Sequence, residues 1–341
     1  MLVTYLRSSS YNNYDFCELQ YFITYVLGHR SDSGKKAELG TMVHKVMEVL
    51  ASLKKNQQDN PRKKYLDIVD DAVGKVRIHK DRLMTDDFVE ELAELSLESY
   101  KKDSKHNWTK GDRNNVSKLS WQALNHNKGQ FDPRLRDILH PEPHFDIPIE
   151  EDWAKYEFED PKTGEKTMGQ LAIKGTIDLV THAGDGIIEV IDWKTGMRKD
   201  WATGEVKTYQ KLQTDAQLLL YNYAISKLYP EYDQAIMTIF FVKDGGPFSM
   251  FFDNTDEEKF LGMLKNRYQE IQANNKPKPL NAARSDWKCS RLCHFYKNNW
   301  PGTDKRMCNH VEDTLKSKGM DAAVKELIHD EHSISYYEAP G

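Results

Sequence analysis

The chain has 341 residues, 39% hydrophobic and 30% charged, with a formal net charge of −5. This suits one large globular domain or two modest ones, and it excludes a protein that coats nucleic acid over its whole surface while leaving room for a local basic groove. No apolar run approaches the roughly 20 residues of a membrane-spanning helix, and the segment from Met1 to Arg7 lacks a secretory pattern, so a cytoplasmic protein without membrane contact is expected.

In chain order, Ser8-Ser9-Ser10 reads as the cap of a helix that carries Cys17 and ends near Leu27. A polar loop leads to a second helix over residues 37–50. Gly28 and Gly34 in that loop have five residues between them rather than the four of a phosphate-binding loop, and Lys36 stands where Ser or Thr is required. From 55 to about 140 the chain is strongly charged without strand-like alternation, which predicts a helical insertion. Strands are then expected over 145–158, 171–180 and 187–194, with turns at Asp160-Pro161-Lys162-Thr163-Gly164 and Gly184-Asp185-Gly186. A helix over 214–228, a hairpin over 235–252 and a helix over 255–273 complete the pattern of an α/β fold, a mixed central sheet flanked by helices. A cysteine-bearing segment and a helical tail follow. The expected division is 1–54, N-terminal helices; 55–144, helical insertion; 145–280, α/β core; and 281–341, cysteine-bearing segment and tail.

Asp178 is followed, after thirteen residues, by Asp192-Trp193-Lys194. Side chains alternate along a strand, so Asp192 and Lys194 share a face and Trp193 takes the other. A hairpin would fold the strand carrying Asp178 back beside them. Carboxylates among Ile and Val are costly unless paired or bound to a metal, and hard divalent cations favour such oxygens. A salt-bridged pair at a strand end is the structural alternative. Glu189, three residues before Asp192, faces away and is not assigned to the metal. On the second helix Gly40 and His44 share a face, and a glycine inside a helix suggests close backbone approach. On the helix after Lys194, Gln217 and Tyr221 also share a face.

The series Gly40-x-x-x-His44, Asp178, Asp192-x-Lys194 and Gln217-x-x-x-Tyr221 resembles that of RecB-type nucleases in the PD-(D/E)XK superfamily. The resemblance covers roughly 8–50 and 145–310 and implies a restriction-endonuclease-like core. It also implies that His44, Asp178, Asp192 and the Trp193 backbone carbonyl hold Mg²⁺ or Mn²⁺. Asp178, Asp192 and Lys194 would be the catalytic set, with Lys194 the catalytic lysine, and Gln217 and Tyr221 would position DNA. The family's usual Pro-Asp is here Ile177-Asp178.

The four cysteines are Cys17, Cys289, Cys293 and Cys308. One early and three late cysteines resemble the iron–sulfur nucleases of the AddB type and the four-cysteine nucleases of CRISPR systems, which implies a [4Fe–4S] cluster. The late spacing is wider than usual in that family. Zinc is therefore an alternative, on the four cysteines or, were Cys17 absent from the site, with His294 and His310, and unligated buried thiols are another.

Residues 101–118 carry six basic and two acidic side chains around Trp108, which suits either a single-stranded nucleic-acid channel or a solvated loop. The function these features point to is a metal-dependent DNA exonuclease acting on ends or single strands in recombination or repair, with a helicase or recombination partner. Its rivals are a CRISPR-adaptation nuclease and a non-catalytic DNA-end-binding subunit.

Overall fold

A computed structural model describes residues 1–159, 163–199, 204–244 and 246–329. It begins with β1 (Tyr5–Leu6), α1 (Ser8–Phe16) and α2 (Glu18–Tyr21), which runs into the π-helical turn Phe22–Val26. The long α3 (Lys35–Asp59), the hairpin β2 (Tyr65–Asp70) and β3 (Gly74–His79), α4 (Asp86–Lys101) and α5 (Lys110–Leu124) follow. Next come β4 (Ile138–Pro141), β5 (His144–Pro148), β6 (Lys155–Glu159), β7 (Lys166–Gln170), β8 (Ala172–Thr176), β9 (Leu179–Gly184) and β10 (Ile187–Lys194). After these lie α6 (Tyr209–Leu212), α7 (Ala216–Leu228), β11 (Gln234–Phe241), β12 (Gly246–Phe251) and α8 (Asn254–Ala273). The short α9 (Trp287–Arg291) and α10 (His294–Lys297) precede α11 (Met307–Lys318) and α12 (Met320–Leu327).

The central sheet has the order β12-β11-β10-β9-β4, with β10 parallel to β11 and the other pairings antiparallel. Alternation along β10 sends Ile188 and Val190 into a core shared with Leu218 and Ile225 of α7, and Ile191 and Trp193 into a core shared with Val43 and Val46 of α3. Helices therefore cover both faces, which is why β10 is apolar on both sides except at Glu189 and at the candidate site positions Asp192 and Lys194. This is the mixed α/β architecture expected.

Three details differ from expectation. The segment 55–144 is not wholly helical, because it contains the β2–β3 hairpin and supplies β4 to the central sheet, where Ile138 pairs with Thr181. Alternation is present in the hairpin, with Val76 and Ile78 buried between exposed Lys75 and Arg77, but the surrounding charge masks it. The strand expected over 171–180 divides at Ile177-Asp178: β8 belongs to a three-stranded sheet, β1-β8-β5, and β9 to the central one. The strand expected over 145–158 likewise divides into β5 and β6 around the 3₁₀ turn Asp152–Ala154. Of the expected turns, Asp160, Pro161, Lys162 and Gly245 lie outside the described residues, as does the tail beyond His329.

Candidate active site

The chain crosses from one sheet to the other at Asp178, and that crossing builds the site. In the β9–β10 ladder Val190 pairs with Val180 and Ile191 with Leu179, so one further step brings Asp192 opposite Asp178. Asp178 Oδ2 accepts from the Trp193 backbone N–H at 2.8 Å, and Oδ1 lies 3.2 Å from His44 Nδ1 on α3. Lys194 Nζ donates to Asp192 Oδ1 at 2.8 Å. From α7, Gln217 Nε2 donates to the same oxygen at 3.0 Å and to the Tyr221 hydroxyl at 2.9 Å. Asp178, Asp192, Lys194, His44 and Gln217 thus converge at one end of the central sheet, on the side chains that the strand and helix periodicities single out.

The electrostatics are unbalanced. Burial raises the pKa of Asp192, the charge of Asp178 adds to the effect, and Lys194 only partly offsets it. Asp178 goes the other way, because His44, Lys194 and the Trp193 N–H outweigh its burial. His44 and Lys194 are both held above their ordinary values, the carboxylates overcoming the cost of burying each cation. Two facing carboxylates of opposite tendency, each paired with a cation, mark a functional-site candidate. Asp192 Oδ2 is buried and ion-paired with Lys194 Nζ at 2.6 Å, so the one ammonium serves both oxygens of that carboxylate.

The donor set of two carboxylates and an imidazole fits a divalent cation. The present arrangement is closed, with His44 and Lys194 each paired to a carboxylate. Among the described residues no three His, Cys, Asp or Glu side chains stand together as a ready metal site.

Tyr221 lies behind Gln217. It is buried, and its hydroxyl donates to the Thr176 carbonyl at 2.9 Å. So placed, it braces Gln217 from behind. Glu189 lies on the opposite face of β10, where it accepts from Thr238 Oγ1 at 2.6 Å and pairs with Arg136. Trp108 is buried under Lys35, whose ammonium lies 5.0 Å from the ring centre, so it offers no face for stacking a base.

Sequence reasoning passed over two neighbours of the site. Glu48, one turn beyond His44 on α3, is pushed up to about 8 by burial and by Glu142, against its ion pair with Lys45. The Glu142 backbone N–H in turn donates to the Asp178 carbonyl at 3.2 Å. Thr195 packs against Gly40, where a Cβ would meet its Oγ1 at 2.6 Å. The spacing of four from His44 was the available signal for Glu48. The signal for Thr195 was its place directly after Lys194.

The four cysteines line a common cavity, although no three of them stand as a ready metal site. Cys17, Cys289, Cys293 and Cys308 line one cavity of about 20 Å³, with room for roughly one water molecule. Cys17 is not on a helix. Its extended backbone separates α1 from α2, and its sulfur accepts from the Gln20 N–H at 3.4 Å and the Leu280 N–H at 3.3 Å. Burial raises the pKa of all four thiols, that of Cys293 to about 11. His294 and His310 do not line the cavity: His294 lies beside Asp32 and His310 stacks on Trp300. The alternative that brought those histidines to zinc is therefore set aside on geometry.

Two opposed carboxylates and a lysine at the end of a mixed sheet, with helices on both faces, define a restriction-endonuclease-like nuclease core. The profile of the PD-(D/E)XK nuclease superfamily matches residues 8–297, and the chain belongs to that superfamily. The match takes in every site residue named above except Cys308. No curated protein sequence matches the chain. Among solved structures, a protein of Eubacterium rectale described as a candidate exonuclease is similar at 12% identity and a TM-score of 0.42, over 85% of this chain and 88% of that one. The protein designated SSO0001 is similar at 13% identity and a TM-score of 0.26, over 73% and 82%. At such scores neither carries weight beyond the family match. No described helix is long and apolar enough to cross a membrane.

Proposed function

We propose that the chain is a Mg²⁺- or Mn²⁺-dependent deoxyribonuclease acting on DNA ends or single strands, in recombination or repair, and that the converged site is its active centre. The observation that carries this reading is the convergence of Asp178, Asp192, His44, Lys194 and Gln217 at one end of the central sheet, with the Asp192 carboxylate buried and ion-paired to Lys194 at 2.6 Å. Asp178, Asp192, His44 and the Trp193 carbonyl would hold the metal. A bound divalent cation supplies charge for the phosphate and lowers the pKa of a water. Lys194, held cationic by the two carboxylates, would stabilise charge developing on the scissile phosphate once Asp192 is released to the metal. Gln217 keeps the Asp192 carboxylate turned toward the site, and Tyr221 holds Gln217 by a bond at 2.9 Å. Calorimetric titration with Mn²⁺ tests the assignment. Wild-type protein should bind, and Asp178→Ala and Asp192→Ala should each lose binding. His44→Ala should lose preference for Mn²⁺ over Mg²⁺, because imidazole is the softer ligand. An unchanged isotherm for Asp192→Ala would overturn the assignment.

The four-thiol cavity would hold a second metal centre. A uniform thiol donor set, with backbone N–H groups directed at Cys17, suits a [4Fe–4S] cluster. Zinc is favoured by one observation, the small cavity, which the thiols would have to open further for four irons than for one ion. Iron and zinc content per chain in protein purified without oxygen separates the two.

A further inference from the structure

Four thiolates around a dipositive ion or cluster core leave a net charge of about −2. The cavity that would receive this charge is walled by apolar groups such as Leu19, Ile23, Leu280 and Phe295. Uncompensated charge in such surroundings is costly, so a metal centre there calls for a fixed cation. Among the described residues that line the cavity, Arg284 alone is charged.

Arg284 is held there by unusual means. Its backbone is left-handed, with φ of 52°, a conformation that a residue with a side chain adopts at a cost and keeps where its position is constrained. Its side chain is only 10% exposed. One terminal nitrogen donates to the Ala282 carbonyl at 2.7 Å and the other to Glu312, while Nε is buried without a hydrogen-bond partner. The guanidinium sits beside Cys308. Glu312 does not cancel it, because Glu312 also pairs with Lys316 at 2.8 Å, and the three side chains together carry one net positive charge. Arg284 also stands between the thiol cavity and a more open polar pocket that contains Lys305, Arg306 and Asp313, so it closes the cavity on that side.

We propose that Arg284 is the charge-compensating, positioning residue of the four-thiol site, offsetting the negative charge of the metal centre from beside Cys308 and governing how firmly that centre is retained. This rests on the reading of the four thiols as a metal site. The substitution Arg284→Met removes the charge at similar length, and Arg284→Lys keeps it. Full-length proteins purified without oxygen are compared for metal per chain, for the rate of metal release to a chelator, for thermal unfolding and, where iron is present, for reduction potential. Arg284→Met should release metal at least tenfold faster than wild type and, with iron, shift to lower potential. Arg284→Lys should recover most of the retention. Release at the wild-type rate from Arg284→Met overturns the proposal, and so does an Arg284→Lys protein as leaky as Arg284→Met, because charge then has no part in it. If Arg284→Met does not fold, Glu312→Gln serves instead: unmasking the guanidinium should slow release or raise the potential, and no change in either overturns the proposal. Wild-type protein with neither iron nor zinc sinks the metal reading and this proposal together, whereas metal-loaded wild type with an indifferent Arg284→Met sinks this proposal alone.

Discussion

Gly40→Ala is a one-carbon change that should separate the proposed active site from the fold. Glycine within a helix costs about 1 kcal/mol relative to alanine, so the substitution favours α3 locally. The added Cβ, however, would lie 2.6 Å from Thr195 Oγ1. Ordinary van der Waals separation is about 3.5 Å, so α3 and the end of β10 must part by roughly 1 Å or Thr195 must rotate. Overpacking of this kind costs about 1–3 kcal/mol, which the helical gain partly offsets, and the melting temperature should fall by only a few degrees. Catalysis should suffer more. His44 lies one turn beyond Gly40 and Lys194 directly precedes Thr195, so the displacement opens the site between its two halves. A misplacement of about 1 Å costs on the order of 10²-fold in rate, so DNA digestion should fall by roughly 10- to 100-fold. The double variant Gly40→Ala/Thr195→Ala removes the clashing oxygen and should return to the rate of Thr195→Ala alone. Wild-type activity in Gly40→Ala, or a double variant no faster than Gly40→Ala, would refute the claim that this contact sets the site.

Glu48 gives a pH test. With its carboxyl pushed up to about 8 in the fold and near its ordinary 4.5 when unfolded, the folded chain holds the extra proton between those values. Stability from this group is therefore present below about pH 4.5 and lost as pH rises toward 8, at no more than about 1.4 kcal/mol per pH unit. Glu48→Gln should flatten the dependence, raising the melting temperature more at pH 8 than at pH 5; an equal change at both would count against the shift. Cys17→Ser keeps an acceptor for the Gln20 and Leu280 N–H groups but removes a sulfur of the proposed ligand set. It should lose bound metal, with melting temperature falling in metal-loaded preparations and barely changing in metal-free ones. Full metal content in that variant would return Cys17 to the class of buried thiols.

Much of the site was legible because strand and helix periodicity are strict. Alternation places Asp192 and Lys194 on one face, and a spacing of four aligns Gly40 with His44 and Gln217 with Tyr221. Less legible was anything decided by three-dimensional context. The run from Leu171 to Val180 gives no sign that the chain changes sheets at Asp178, because no turn dipeptide stands at Ile177-Asp178. Cys17 lies in a sequence with helical signals on either side, and only its bonds to Gln20 and Leu280 account for the extended break. Tyr221 shares a helix face with Gln217, yet the depth of that face, which buries the ring against Phe145, follows from packing and not from spacing. Arg284 had no sequence signal at all, since its charge matters only where the four thiols meet.

The most direct test of the central claim is digestion of DNA labelled at its 5′ or 3′ end, single- and double-stranded, by wild-type protein and Lys194→Ala, with Mg²⁺, with Mn²⁺ and with chelator. Wild-type protein should release labelled products with either metal and none with chelator. Lys194→Ala, folded as judged by its melting profile, should release none under any condition. Digestion by Lys194→Ala at the wild-type rate would contradict the assignment of the active site, and metal-independent digestion by the wild type would contradict its chemistry.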